Sequence, residues 1–174
     1  MLSLIAAAAL LAGPQAGAQP YTPTGPKIVV TMTYGKSFEI TTDPKASPKT
    51  VAHILDLCNR KFYDRQRIHR VESWVTQWGS PASKTEDLKS DAVLSGVSGK
   101  QLPFEESQID FLEGVVGVAS TGLQVGGDSQ LFILKRDTER LWRSYAVVGK
   151  VTQGMDVVRG VQWGDRIATM RVAK

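Results

Sequence analysis

Cysteine is nearly missing from this chain. Cys58 is the only one in 174 residues, so no internal disulfide can form. Histidine is scarce too, at His53 and His69 alone. A cysteine–histidine nucleophile would need one of them beside an exposed, electropositive thiol. Instead Val51, Ile54, Leu55 and Cys58 recur at helical spacing on one apolar face, and Cys58 reads as a small core residue. Internal repeats and low-complexity tracts are absent. A strong charge imbalance is lacking as well: 21 basic residues stand against 17 acidic ones, for a net charge of +4. The basic residues that do cluster, Arg60, Lys61, Arg65, Arg67 and Arg70 around Asp64, read as a solvated helix-to-strand connection. A nucleic-acid partner is therefore not expected, and a polyanion-binding domain is the lesser alternative.

The first 18 residues, MLSLIAAAALLAGPQAGA, lack any charged side chain. They end in Ala16-Gly17-Ala18, the small-x-small pattern read by signal peptidase. The apolar segment is too short to span a bilayer comfortably. It departs from the usual pattern only in having no Lys or Arg at its start. The expectation is a signal peptide over 1–18, cleavage before Gln19, and export to a periplasm or the medium. No cysteine lies near that site to take a lipid, so no stable membrane anchor is expected. Residues 19–26 read as a flexible, proline-rich lead-in and 27–174 as one domain.

That domain is ordinary in composition, 42% hydrophobic and 22% charged over the whole chain, and it patterns mainly as strands. KIVVTMT (27–33) and SFEITT (37–42) flank Tyr34-Gly35-Lys36 as a hairpin. Ser47-Pro48 opens a helix, with Ser as N-cap and Pro as its first residue. RIHRVESWVTQWGSP (67–81) alternates as a strand running on to Trp78. Residues 80–110, polar and rich in Ser and Gly, form an excursion over the surface. GVVGVAS, SQLFILKR, YAVVGKVT and DRIATMRVA are further strands, and GMDVVRGV (154–161) a second short helix. Strands spread along the chain with two isolated helices argue for a closed antiparallel barrel or a sandwich.

One stretch poses a chemical question. In 67–81 a continuous strand would put Arg70 on one face with Ile68 and Trp74, with Gln77 nearby. The order of motifs supplies an answer: IHRV, the following Gln, LPFEES, GVVGVAS, GGDSQLFI and VVGKVTQGMDVV together resemble the cyclophilin family of peptidyl-prolyl isomerases. The likeness runs from about Lys27 to the C-terminus. It implies a mainly β fold, a closed eight-stranded antiparallel barrel capped by two helices, with the active groove on the outer face. It implies no metal and no cofactor, a monomer, and proline-containing segments of exported proteins as partners.

The resemblance also assigns roles. Arg70 would offer its guanidinium to the amide nitrogen of a twisted X-Pro bond, with no other charged group over the proline site. Gln77 would brace it and contact the substrate backbone. Trp74 and Val75 match pocket positions that are usually Phe and Met. Ala119 and Ser120 match the segment that pairs with the peptide, and Gln130 sits beside it. Phe132 would floor the proline pocket, Leu141 would line its side, and Tyr145 falls where many members have His. Outside the joint pattern each has a plainer reading: Phe132 and Leu141 as core, Arg70 as a surface charge, His69 as a structural residue, Gln130 as a partner for buried backbone. Three departures stand out. Only Val71-Glu72-Ser73 separate Arg70 from Trp74, one residue fewer than is common. Arg140 replaces a Trp tied to cyclosporin binding. Trp78-Gly79 replaces Gly-Gly. The shortened segment motivates an alternative, a catalytically weak module that clamps proline-containing segments.

Overall fold

A computed structural model describes residues 21–173. The expected signal peptide over 1–18 and the cleavage before Gln19 lie outside these residues. The chain runs through β1 (Lys27–Met32), β2 (Ser37–Thr42), α1 (Pro48–Asn59), β3 (Arg70–Val71), β4 (Val75–Trp78), α2 (Asp91–Leu94), β5 (Val115–Val118), β6 (Leu131–Leu134), β7 (Val147–Gln153), α3 (Met155–Gly160) and β8 (Ile167–Val172). Short 3-10 turns lie at Pro81–Lys84 and Glu139–Leu141. All eight strands belong to one antiparallel sheet in the order β3-β4-β6-β5-β7-β2-β1-β8.

The expected closed barrel is corrected by this order. β3 and β8 are both edges of a curled half-barrel, and the segments leading into them meet through the isolated bridge Arg67↔Arg166 and the few backbone hydrogen bonds around it, without a continuous ladder between the two strands. Closure requires a ladder along the seam, and a β3 of two residues is too short to supply one. The expected pair of helices also becomes three, because the surface excursion contributes the single turn of α2.

Alternation along the strands divides apolar side chains between two faces. The inner face carries the larger cluster, including Ile28, Val30, Phe38, Ile40, Trp78, Leu131 and Ile133. Val51, Ile54, Leu57 and Cys58 of α1 close it from one side. Burial pushes the Cys58 thiol up to about 12, which keeps it protonated inside that core. The outer face carries a second cluster of Val75, Phe111, Val115, Phe132, Leu134, Leu141 and Val147. Tyr21 packs at its margin and donates its hydroxyl to Asp43 at 3.1 Å.

Two local features differ from expectation for identifiable reasons. Pro48 does start α1, but the Ser47 side chain makes no cap. Glu105, from the long excursion, accepts the free N–H groups of Lys49 and Thr50 and the Thr50 hydroxyl, at 2.8 to 3.0 Å. A carboxylate there satisfies orphan donors and complements the helix dipole together. The excursion is also pinned by Asp128, buried in the structure. Asp128 accepts from the Gly99 and Lys100 amides and the Ser98 hydroxyl, and pairs with His53 of α1 at 2.9 Å. The second difference is the strand expected over 67–78, which is a hairpin. Arg70 pairs with Gln77 and Val71 with Thr76, and the Glu72 N–H donates to Val75 O. Ser73 and Trp74 sit at its tip.

Candidate active site

The hairpin places Arg70 at the end of a row that crosses the sheet. Arg70 registers with Gln77, Gln77 with Phe132, Phe132 with Gly117, and Gly117 with Val147. Residues in register share a face, so a guanidinium, an amide, an aromatic ring and a gap stand side by side on the outer face. The gap is needed. A Cβ on Gly117 would lie 2.4 Å from the tip of the Phe132 ring, closer than any carbon contact allows. Phe132 is seated against Phe111 in a stacked pair and against Tyr145 edge-on, with centroids 6.4 and 5.4 Å away. Aromatic pairs of these geometries add to burial in holding a ring.

A cleft of about 310 Å³ opens over this row. Phe132, Val75, Leu141 and Tyr145 form its apolar part; Arg70, Gln77, Trp74, Ala119 and Ser120 lie around it. Nine of the ten expected site residues thus come together. The tenth, Gln130, lies one residue before β6 and lines an adjoining cleft that shares Gln77, Ala119 and Ser120 with the first. The site also includes Leu123, which is exposed, and Arg140. Sequence reasoning misses Leu123 because a lone apolar residue in a Gly-rich loop carries no pattern.

A relay of side chains fixes the amides. The Gln130 amide donates to the carbonyls of Leu94 and Gly96, at 3.1 and 2.9 Å. Its oxygen accepts from Gln77 at 2.8 Å, and the Gln77 oxygen accepts from Arg70 Nη1 at 3.3 Å. The chain of bonds ends on the guanidinium, whose Nε donates to Glu72 at 2.7 Å. A guanidinium has five N–H groups. Three therefore have no acceptor among the described residues.

The expectation of a lone charge is corrected by Arg140, which also lines the cleft, and Glu72 sets a carboxylate on Arg70 itself. One carboxylate oxygen takes Arg70 Nε and the other takes the Trp74 indole N–H, each at 2.7 Å. The Arg70 hydrogen bond holds the Glu72 carboxyl below the usual range, aided by the charges of Arg70 and Arg140 and by the indole. The Trp74 ring meets two guanidinium groups, Arg70 at 5.2 Å and Arg140 at 4.9 Å from its centroid, distances at which cation–π attraction acts. Arg70 through Trp74 thus form a tight hairpin in which carboxylate, indole and guanidinium hold one another. His69 next to Arg70 is buried, and neither ring nitrogen has a hydrogen-bond partner. Burial lowers its pKa and the Arg70 charge adds to this, against a counter-pull from the Gln130 side chain. It is held neutral. Among the described residues, no group of three His, Cys, Asp or Glu is placed to hold a metal ion.

The profile of the family "Cyclophilin type peptidyl-prolyl cis-trans isomerase/CLD" matches residues 28–173. This chain is a member of the cyclophilin family. It is 35% identical over 125 residues to a "Probable peptidyl-prolyl cis-trans isomerase" of Brucella abortus, covering 70% of this chain and 64% of that protein. It is 30% identical over 139 residues to "Peptidyl-prolyl cis-trans isomerase B" of Bacillus subtilis, covering 79% and 92%. In fold it is similar to a Cryptosporidium parvum cyclophilin type peptidyl-prolyl cis-trans isomerase, with a TM-score of 0.73, 16% identity, and 86% and 98% of the two chains covered. The aligned part thus spans less than two thirds of the Brucella relative's length. Within this cyclophilin, ladder register brings Arg70, Gln77 and Phe132 together, whereas Trp74, Arg140 and Leu141 arrive from turns.

Proposed function

We propose that this cyclophilin is an active peptidyl-prolyl cis-trans isomerase that serves proline-containing segments of exported proteins. The observation that carries the reading is a guanidinium with unused donors, braced by Gln77 and Glu72, over an apolar cleft floored by Phe132. An X-Pro bond resists rotation by roughly 20 kcal/mol because nitrogen shares its lone pair with the carbonyl. The apolar cleft takes the proline ring. As the acyl half turns, nitrogen regains its lone pair, and Arg70 donates to it. Arginine stays protonated at any working pH, and a donor positioned in advance spends no reorganisation at the moment of twisting. Gln77 keeps the fork aimed, and Ala119 and Ser120 border the path of the peptide.

Exchange NMR on a short X-Pro peptide tests the reading. The protein is expected to speed interconversion at substoichiometric concentration, and no acceleration would overturn it. Export rests on the apolar, uncharged segment 1–18. Intact-mass analysis of the exported protein is expected to show Gln19 first, and sedimentation to show a monomer. Among the described residues no helix is long and apolar enough to cross a membrane. One observation favours a second reading, a slow clamp: Glu72 engages Arg70 and Trp74 at the mouth of the cleft. Tight peptide binding without acceleration would select it.

A further inference from the structure

We propose that Arg140 forms a subsite for a carboxylate on the residue directly after the substrate's proline. The proposal rests on the isomerase reading and gives it a substrate class, X-Pro-Asp and X-Pro-Glu segments. Arg140 sits in the turn Glu139–Leu141, directly before the Leu141 that walls the cleft. Its guanidinium is spread over one side of Trp74. It is exposed, lines the cleft, and forms no ion pair among the described residues, unlike Arg70 with Glu72 and Arg143 with Glu106 nearby. Glu72 feels its charge, but both Glu72 oxygens are committed to Arg70 and Trp74. No carboxylate lines the cleft, while two guanidinium groups do. The site thus presents a planar donor fork with no ion-pair partner among the described residues, of the shape that takes a carboxylate two-handed.

Geometry sets which substrate residue it meets. At one end the cleft merges with the recess that shares Gln77, Ala119 and Ser120. At the other it meets a recess that shares Trp74 and Arg140. A peptide crossing the cleft therefore has one flank at Ala119 and the other at Arg140. A fixed ionic anchor is compatible with turnover only on the half that stays still. The acyl half turns, so the anchored half is the proline together with its C-terminal neighbours. The recess beyond Arg140 carries Arg136, Asp137 and Glu139 together. This mixture confines the selectivity to the first residue after proline.

The test compares isomerisation of Ala-Ala-Pro-Asp-Ala with Ala-Ala-Pro-Asn-Ala by exchange NMR, reading the ratio of kcat/KM values. The wild-type protein is expected to favour Asp by about two- to fivefold at low ionic strength, the range of an exposed ion pair. The ratio should shrink toward one in high salt. Arg140→Gln should bring it to about one whatever the absolute rates, and Arg140→Glu should turn preference toward Lys at that position. A wild-type ratio of one on a protein that isomerises both peptides would overturn the subsite and leave the isomerase reading standing. Acceleration of neither peptide would overturn both. An equal preference for Asp placed before the proline would show a diffuse attraction of anions and overturn the subsite as well.

Discussion

The two sides of the cleft are built by different means. One is the transverse row Arg70–Gln77–Phe132–Gly117, whose members are placed by backbone register on four neighbouring strands. The other is the rim of Glu72, Trp74 and Arg140, carried on a hairpin tip and a 3-10 turn and joined by ionic, indole and cation–π contacts. In the row, ladder hydrogen bonds place every backbone and buried packing holds the Phe132 ring, while the half-exposed Arg70 guanidinium reaches across to the rim. In the rim, half-exposed charges locate one another, and water and salt compete with them. The difference teaches that the row should tolerate solvent conditions and resist substitution, while the rim should do the reverse.

The largest expected effect comes from breaking the row at its centre. Phe132→Ala removes a ring that packs against Phe111 and Tyr145 and floors the cleft. A loss of about 3–5 kcal/mol in stability is expected, with weaker peptide binding, read by denaturant titration and by KM. Next is Arg70→Ala, expected to lower kcat/KM by roughly thirty- to a thousand-fold, or about 2–4 kcal/mol, with little change in thermal midpoint. Arg70→Lys should also be poor, because a point ammonium cannot serve Gln77, Glu72 and substrate together. Retention of most activity by Arg70→Ala would remove the row from the mechanism.

Breaking the rim should cost less. Glu72→Gln leaves the row in register but unclasps Arg70 and Trp74. A two- to fivefold fall in kcat/KM is expected, about 0.5–1 kcal/mol after allowing for solvent exposure, with the thermal midpoint nearly unchanged. A loss as large as that of Arg70→Ala would erase the distinction between row and rim. The smallest expected effect is acidity, which acts through the rim carboxylate of Glu72. Glu72 has a lowered pKa in the fold, so its contribution is present above its unfolded value of about 4.3 and lost as pH falls through the folded one. Activity relative to pH 7 should slip in that window in the wild-type protein. Glu72→Gln should show a flatter profile there.

The row is legible in the sequence as a set of residues, but not as a row. Motif order, through the resemblance to cyclophilins that it carries, points to Arg70, Gln77, Phe132 and their neighbours. Register is not in the motif order: that Gln77 stands between Arg70 and Phe132 depends on which strands pair. The hairpin at 70–77 reads as one strand because period-two alternation continues through a tight reversal whose tip, Ser73-Trp74, lacks the Gly or Asn that marks a two-residue hairpin turn. Glu105 on α1 and Glu72 on Trp74 stay hidden for a related reason. A carboxylate 55 residues from the amide it caps leaves no local signal, and Glu72 has the pattern of an ordinary outward-facing charge. The closed barrel fails at its seam, where β3 is too short to pair.

One edge of β1 pairs with β2 next to it in the chain, while the other waits for β8, with Ile28 registering against Val172. Such a pairing closes the longest loop in the domain, and loops of that length make folding slow. A nascent chain emerging from a ribosome therefore holds β1 with one side unsheltered until almost the whole domain has been synthesised.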